Sequence, residues 1–538
     1  MQQSGISVWA KGQAFSGDRF HEGEAFAELL IRWFDGPQEP AAHDLSKRLL
    51  ALNGHFAFMI DRRGTLFAAV DRLRSIPLFY ASVDQTPVIG DDASRVRREA
   101  GAGADDPVGR DELLLTGFVT GRNTMAAGLS QLRSGEWLRW RPAAGGRPRF
   151  ETHRYFRFCT PERTEGGMDD TAGAFFDLAR SAFSRLIHST KGRTLMLPLS
   201  GGYDSRFILT MLRRLGHDAV RCFTYGARGN AESTAALRLA AELDYPCDVV
   251  HYSLHTWRRA FTSDPWQKYL AFAHGLSSLP HVQDWPAVGA LKSRGRVPRD
   301  AIFIPGHTGF IHRSPLRDII LALPRADADR LVQSILDTYF GLWDWSRHRG
   351  RLDSLFRERI ARHLLRDLHM QTASDMAAAL DCWEFEERQA KFIVNSVRCY
   401  EFWGYDWRLP ITDTAFTDFW LRIPDRRRYM TFLDAAPGFS PVRTDRRIRA
   451  ALKGGVKRCF QAGRPPARLD RGYRIWRNRY RDYLLHIYRW YGIHTPVAHL
   501  RMTAPFEGFR WAPTSNINSL LTRHLLSGAV SRTGSRTR

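Results

Sequence analysis

The chain has 538 residues, enough for two or three domains, and its 43% hydrophobic and 12% aromatic content is typical of a globular protein. No apolar run is long enough to cross a bilayer and the first residues lack a signal-peptide pattern, so we predict a cytoplasmic protein without a transmembrane segment. The formal net charge of +23 is concentrated between Arg443 and Arg538, and six cysteines show neither zinc-ligand nor disulfide spacing.

The N-terminal region, from Ile6 to about Arg147, has the pattern of short β-strands. The segments HFAFMI (55–60) and TLFAAV (65–70) flank the polar sequence DRRG (61–64), which predicts a β-hairpin. The sequence PAAGGRPR (142–149) predicts a turn or linker. A domain boundary therefore falls near residues 150–165.

From about Asp169 the pattern changes to alternating helices and strands. We predict helices at 172–187, after Ser205 and at 231–243, and strands at 194–199, 219–226 and 248–253. This alternation is typical of a parallel sheet covered on both faces. Beyond about residue 325 the sequence predicts mainly helices, followed by a disordered tail, SRTGSRTR.

The sequence SGGYDS (200–205) lies between a predicted strand and a predicted helix. Gly201 and Gly202 let backbone amides approach a ligand closely, and the following helix adds the positive end of its dipole. Together they predict a cradle for phosphates. Because an acid next to a polyphosphate needs a cation between them, Asp204 is a candidate Mg²⁺ ligand.

SGGYDS resembles the SGGxDS loop of the PP-loop ATP pyrophosphatases, which cleave ATP between its α and β phosphates. Three further stretches are similar to the asparagine synthetase branch of that superfamily. LNGHFAFMIDRRGTLFAAVDRLRSIPLFY (52–80) and GRNTMAAGLSQLRSGEWLRW (121–140) resemble its N-terminal amidotransferase domain. RCYEFWGYDWRLPITD (398–413) resembles its synthetase domain, with the shared positions Arg398, Asp406, Arg408, Pro410 and Asp413.

The resemblance implies an α/β multidomain fold in three regions. These are a degenerate, β-rich amidotransferase-like sandwich (1–155), a doubly wound parallel-sheet PP-loop synthetase domain with a helical C-terminal part (165–465), and a basic helical extension with a disordered tail (466–538). It implies ATP and Mg²⁺ as cofactors. The implied ATP and pyrophosphate contacts are Leu199, Ser200, Gly201, Gly202, Tyr203, Asp204, Ser205, Phe223, Tyr225, Gly306 and Arg408.

The implied catalytic residues are His307, Asp406 and one of two lysines, Lys453 or Lys457. Position 307 corresponds to the glutamate of the family sequence GEGADE, and a histidine there can deprotonate an amine or simply bond its own loop. The lysines either stabilise an acyl-adenylate or are solvated charges. Glu232 is a helix cap, a contact to the nucleotide, or a first-turn acid that favours the helix dipole.

The sequence departs from the family at two functional positions. Glutamine-dependent members carry a nucleophilic cysteine at position 2, where this chain has Gln2, so hydrolysis of glutamine by that route is not expected. Phe310 occupies the position of the family's Mg²⁺-binding aspartate. The nitrogen then comes from free ammonia, from a separate glutaminase or from an amine on the substrate.

The favoured hypothesis is a ligase that adenylates a carboxylate, such as aspartate or a uronic acid of a surface polysaccharide, and forms an amide. Its partners would be a small-molecule or saccharide carboxylate and an ammonia or amine donor. The basic C-terminus supports an alternative, an RNA-modifying PP-loop enzyme, although nucleic acid is the disfavoured partner and a solvated surface explains the charge equally well. Gln2, His307 and Phe310 support a third reading, a non-catalytic nucleotide-binding relative.

Overall fold

The structure is a computed structural model of the chain. It describes residues 1–3, 5–84, 86–142, 149–159, 171–307, 315–364, 368, 370–422, 507–511 and 517–533. Lys453, Lys457 and Phe310 lie outside the described residues, as do residues 160–165 of the boundary predicted at 150–165. Within the described ranges, no helix is both long and apolar enough to cross a membrane.

The N-terminal part (residues 1–159) consists mainly of antiparallel strands. The strands are β1 Gln2–Gln3, β2 Ile6–Ser16, β3 Arg19–Glu22, β4 Leu52–Arg62, β5 Thr65–Val70, β6 Phe79–Val83, β7 Thr86–Gly90, β8 Ser130–Gln131, β9 Glu136–Arg141 and β10 Arg149–Arg154. The helices are α1 Glu24–Phe34, α2 Ala42–Leu50, α3 Ala93–Glu99 and α4 Pro107–Thr116.

The larger of its two sheets has the strand order β1-β2-β4-β5-β9-β10, with β3 paired to β2. Alternation along β4 places Phe56, Phe58 and Ile60 in one buried cluster with α1 and α2, while Ala57 belongs to the cluster on the opposite face. The smaller sheet, β7-β6-β8, contributes to that second cluster. Helices α1 and α2 therefore cover one face of the larger sheet, and the smaller sheet lies toward the other face together with α3 and α4.

The predicted hairpin is confirmed. Arg62 pairs with Thr65 across a two-residue turn in which both Arg63 and Gly64 have positive φ, 52° and 86°. Gly64 N donates to Asp61 Oδ1 at 2.9 Å, which fixes the turn. This is the geometry that tight β-hairpins require.

The C-terminal part (residues 171–533) has helices around a parallel sheet. Its strands are β11 Leu195–Pro198, β12 Val220–Gly226, β13 Cys247–His251, β14 Ile302–Phe303, β15 Trp343–Asp344, β16 Asp406–Trp407 and β17 Arg510–Trp511. Its first helices are α5 Thr171–Thr190, α6 Tyr203–Arg214, α7 Ala231–Glu242, α8 Leu254–Phe261, α9 Asp264–Ala273 and α10 Trp285–Ser293. The later helices are α11 Pro315–Leu321, α12 Ala328–Tyr339, α13 Arg349–Leu364, α14 Ala373–Trp383, α15 Arg398–Phe402, α16 Thr414–Arg422 and α17 Ile517–Thr533. Short 3-10 turns cover Ser346–His348, Val394–Val397 and Pro410–Thr412, and Glu384–Ile393 is π-helical.

The predicted alternation of strands and helices from α5 to β13 is confirmed, and so is the parallel sheet. Its strand order is β13-β12-β11-β14-β16, and every pair in it is parallel. From β11 the chain moves outward through β12 to β13 and then returns to the other side of β11 as β14 and β16. The gap between β11 and β14 is therefore a topological switch point, where ligands of such sheets bind beyond the carboxyl ends of the strands.

The two parts share their hydrophobic cores. One buried cluster contains Phe26 and Phe56 of the N-terminal part together with Phe175, Phe207 and Trp420 of the C-terminal part. The sequence pattern predicts a domain boundary between the two parts, but the hydrophobic packing continues across it. The parts therefore form one body rather than two independently packed units.

Helix α17 also belongs to this body. Trp343 Nε1 donates to Ser519 O at 3.1 Å, and Thr522 Oγ1 donates to Leu114 O of α4 at 3.4 Å. Strand β17 pairs with β15. The described residues of the predicted C-terminal extension thus form a short strand and a helix, and they pack against both parts.

Buried charges join the two parts. Glu387 accepts hydrogen bonds from Gly121 N at 3.1 Å and pairs with Lys391 Nζ at 2.6 Å. Lys391 Nζ also donates to Val119 O and Gly121 O, each at 2.7 Å, and His363 Nε2 lies 2.9 Å from Glu387 Oε1. The side chains of Glu387 and Lys391 have no exposed area. Removing either one alone would leave an uncompensated buried charge.

The stretch 398–413, which resembles a synthetase motif, lies at the same boundary. Arg398 donates to Ser75 O at 2.9 Å, and Arg408 donates to Glu22 Oε1 at 2.8 Å. These arginines therefore hold the N-terminal part against the sheet. Asp413, in the same stretch, makes further contacts across the boundary.

We expect Asp413→Ala to destabilise the protein by about 2–4 kcal/mol, because this carboxylate accepts from Asn53 Nδ2 at 2.9 Å and from Arg185 Nε and an Arg185 terminal nitrogen at 2.9 and 2.8 Å. The control is Asp418→Ala, which breaks the more exposed pair with Arg72 and should cost less than about 1 kcal/mol. Urea unfolding measures both free energies. Equal losses in the two variants would contradict this role of Asp413.

Candidate functional site

The strand registers of the parallel sheet place three predicted site residues at the same level along the strand direction. Continuing the pairings of β11 with β12 and with β14 puts Ser200 level with Tyr225 and His307. All three lie at the carboxyl edge of the sheet, next to the switch point. Each of the three was predicted from a different stretch of the sequence, and the sheet brings them close together.

The SGGYDS loop is held by its own hydroxyl groups. Ser205 Oγ accepts a hydrogen bond from Ser200 N at 3.1 Å, and Ser200 Oγ accepts one from Gly202 N at 3.1 Å. Arg206 donates to Gly201 O at 3.1 Å. Helix α6 begins within this sequence, at Tyr203, so its N-terminal dipole adds to the attraction of this loop for anions.

Glu232 shows that a loop amide can bind an anionic oxygen. Its Oε2 accepts a hydrogen bond from Gly201 N at 2.9 Å. Asn230 caps α7 by accepting from Glu232 N at 2.9 Å, which fixes Glu232 in the first turn. Glu232 is therefore a first-turn acid, as one of the sequence hypotheses had it, and it also reaches the loop; a contact with a nucleotide stays a prediction.

We expect Glu232→Gln to bind pyrophosphate about tenfold more tightly than the unchanged protein when no divalent cation is present, because it removes a negative charge beside the Gly201 amide. Isothermal titration calorimetry measures the affinity. Glu242→Gln, at the exposed far end of the same helix, is the matched control and should leave it unchanged. Unchanged or weaker binding by Glu232→Gln would show that the carboxylate does not compete with pyrophosphate.

Gly306 brings the chain after β14 into contact with the loop. A Cβ atom at this position would lie 2.8 Å from Ser205 N and 3.2 Å from Asp204 Cβ. Only a residue without a side chain permits this approach. The contact fixes the position of His307, the next residue, relative to the start of α6.

We expect Gly306→Ala to weaken pyrophosphate binding about tenfold or more, because the added methyl group would displace the Ser205 backbone from the loop. The matched control is Gly350→Ala in α13, where an added Cβ meets nothing within 4 Å. Calorimetric titration with pyrophosphate compares the two variants. Equal affinities would mean that the loop tolerates the methyl group without moving its amides.

His307 belongs to a cluster with His281 and Asp284. One ligand atom from each of the three residues lies within 4.8 Å of the other two. His281 Nε2 is 3.7 Å from Asp284 Oδ1, and the two imidazole centroids are 5.6 Å apart. Tyr225 and Tyr400 each donate a hydroxyl hydrogen bond to Asp284, one to each carboxylate oxygen.

This environment determines the charges of the cluster. Burial and the nearby His281 side chain lower the pKa of His307 to about 4, against a smaller opposing effect of Asp284. Burial alone would raise the pKa of Asp284, but its interactions with His281, His307 and Tyr225 hold it at about 2. At neutral pH the His307 imidazole is therefore neutral and the Asp284 carboxylate is ionised. A neutral imidazole can accept a proton or bind a cation.

Other predicted residues lie away from this edge. The registers place Asp406 level with Leu195, at the amino ends of the strands and five residues, about 16 Å, before Ser200. Its carboxylate pairs with Arg193 at 2.6 Å. Arg408 points to Glu22 in the N-terminal part. The structure thus brings neither Asp406 nor Arg408 to the SGGYDS loop.

Two predicted ATP contacts are core residues. Phe223 has no exposed area and packs on Phe303, with ring centroids 5.9 Å apart. Leu199 is also buried, and its backbone N donates to Phe223 O at 2.8 Å. Their side chains lie in the two hydrophobic clusters of the protein. Tyr203 and Asp204 begin α6 directly at the loop.

His281, Asp284 and Tyr400 are the site residues that sequence reasoning missed. The sequence HVQDWP (281–286) has a histidine and an acid three residues apart, immediately before a Trp-Pro helix start. This three-residue spacing is the only local sequence signal for His281 and Asp284. No local pattern marks Tyr400, which reaches Asp284 from α15.

No protein-family model matches the chain, and no curated protein matches it in sequence. Among solved structures, the chain is similar to a glutamine phosphoribosylpyrophosphate amidotransferase from B. subtilis complexed with ADP and GMP, at 10% identity and a TM-score of 0.19. That match covers 58% of this chain and 64% of the other. A second similar structure is described as the allosteric regulatory enzyme of purine biosynthesis, at 12% identity, a TM-score of 0.20 and coverages of 62% and 68%. TM-scores this low assign neither a fold nor an activity.

Proposed function

We propose that the chain is an ATP-dependent ligase of the asparagine synthetase type, which adenylates a carboxylate and forms an amide. The observation that carries this proposal is the position of the SGGYDS loop. It lies at the switch point of a parallel sheet, ahead of a helix N-terminus, with Gly306 packed against it. This is where an open parallel sheet binds nucleotides.

The loop fits a pyrophosphate group. One of its amides already binds a carboxylate oxygen, that of Glu232, and the helix dipole favours further negative charge. Asp204 and Glu232 place two carboxylates at this loop, a donor set that suits Mg²⁺. When bound, Mg²⁺ would neutralise charge on the phosphates.

The proposed reaction has two steps. A carboxylate oxygen attacks the α-phosphorus of ATP, the bond to the β-phosphate oxygen breaks, and pyrophosphate leaves. An amine nitrogen then attacks the acyl carbon, the bond to the AMP oxygen breaks, and the amide forms with loss of one proton. His307 is neutral at pH 7 and adjoins Gly306, so it is the proposed acceptor of that proton. The loop amides stabilise the departing charge.

The sequence of the N-terminal part bears on the identity of the nitrogen donor. We infer that this part is amidotransferase-like, on the basis of its two antiparallel sheets and the stretches 52–80 and 121–140. It has Gln2 where the family's nucleophile stands, and the first cysteine along the chain is Cys159. Free ammonia or an amine on the substrate is therefore the proposed donor.

The test is exchange of labelled pyrophosphate into ATP in the presence of Mg²⁺, with aspartate, uronic acids and peptide carboxylates supplied one at a time. We expect exchange with one class of carboxylate and a loss of at least a hundredfold in Asp204→Asn, because the charge at the loop is removed. Asp218→Asn changes an exposed acid beyond the other end of α6 and is the matched control.

Two other results of this experiment would contradict the proposed ligase. Binding of ATP without exchange for any acid would overturn the ligase and favour a non-catalytic nucleotide-binding protein. Absence of exchange together with steeply salt-dependent RNA binding would instead favour the RNA-directed reading.

A further inference from the structure

The cluster of His281, Asp284 and His307 has a geometry that proton transfer alone does not explain. His281 Nε2 is buried and makes no hydrogen bond to a described residue. Its distance of 3.7 Å from Asp284 Oδ1 is longer than a hydrogen bond. Two atoms that bind the same tetrahedral ion at about 2.1 Å lie about 3.4 Å apart, close to this separation.

The third donor comes from a distant part of the chain. His307 follows β14, whereas His281 and Asp284 precede α10, and their ligand atoms still converge within 4.8 Å. Two imidazoles and one carboxylate form a donor set for Zn²⁺ and similar first-row transition metals rather than for Mg²⁺ or Ca²⁺, which prefer oxygen.

Asp284 is also oriented as metal-binding carboxylates are. Tyr225 and Tyr400 each donate to one of its oxygens, and its side chain is 4% exposed. Outer hydrogen bonds of this kind fix a ligating carboxylate and commonly change metal affinity by about ten- to a hundredfold. The ring of Tyr400 stacks on Phe303 of β14, 4.5 Å between centroids, so this support is itself fixed.

We propose that His281, Asp284 and His307 bind one transition-metal ion of the zinc class at the carboxyl edge of the parallel sheet. Three protein ligands leave a fourth position open for water or substrate. This site is distinct from the Mg²⁺ implied at Asp204, because it uses other residues and another donor chemistry. It goes beyond the proposed ligase and does not depend on ATP. A bound ion would occupy a lone pair of His307, so Zn²⁺ should slow any step in which that imidazole accepts a proton.

Binding of Co²⁺ to the full chain after chelator treatment tests the proposal. We expect one Co²⁺ per chain with the visible absorption of a low-coordinate site, displaced by Zn²⁺. Asp284→Asn and His281→Gln should each weaken binding at least tenfold, while His251→Gln, an exposed histidine at the end of β13, should not. Zn²⁺ should raise the melting temperature of the unchanged protein, but not that of the first two variants.

Less than one ion per chain, or binding that both ligand variants leave unchanged, would overturn the proposal. If Asp284→Asn does not fold, the Co²⁺ affinity of His281→Gln decides the test. The His281 side chain is the more exposed of the two, 16% against 4%. Asp204→Asn separates this proposal from the ligase: it should abolish pyrophosphate exchange and leave Co²⁺ binding intact. A chain that binds Co²⁺ but never exchanges pyrophosphate would sustain the metal site and refute the ligase.

Discussion

The ion pair of Glu387 and Lys391 fixes how the two parts of this protein are arranged. Burial would raise the pKa of Glu387, but Lys391 and His363 hold it at about 2, so the pair stays charged without exposed area. Apart from the contact of Glu387 with His363, its other polar contacts go to backbone atoms of the N-terminal part. Such a pair tolerates little displacement, because each ion depends on the other and on those atoms for solvation. The chain continues from it through α15 to β16, the last strand of the parallel sheet. Anchoring at Glu387 therefore positions one edge of the sheet that carries the site.

The site itself depends on backbone proximity more than on side chains. Gly306 touches the first turn of α6, and Gly201 meets the carboxylate of Glu232. The Gly306 contact requires glycine, since a Cβ atom there would lie 2.8 Å from the backbone N of Ser205, whereas at Gly201 the atom at 2.8 Å is the end of the Glu232 side chain, which can move. Once these backbones are close, the residues that follow them, Tyr203 to Ser205 and His307, converge without long side chains. This arrangement suits an anionic ligand, which binds to amides and a helix terminus.

Local patterns predicted much of the fold. The hairpin at Arg63 and Gly64 and the elements from α5 to β13 follow from short-range periodicity and turn chemistry, and the SGGYDS loop follows from its glycines. The features that the sequence did not predict depend on the register of strands that are far apart along the chain. Strands β14 and β16 have two residues each, too few to show a pattern, so nothing local indicates that Asp406 begins a strand at the opposite edge. Likewise, His281 and Asp284 meet His307 only because α10 packs beside the sheet.

The two hydroxyl groups on Asp284 join regions that are far apart in sequence. Tyr225 comes from the end of β12, while Tyr400 lies on α15, two residues from Arg398, which bonds Ser75 of the N-terminal part. A short helix thus touches the site at one end and the boundary at the other. The N-terminal part is accordingly a scaffold for the site and not a detachable module. A truncated chain beginning near residue 171 would lose Ser75, and with it a hydrogen bond that Arg398 makes from the helix carrying Tyr400. Cutting this protein at the boundary between its parts would therefore remove one support of the helix that carries Tyr400.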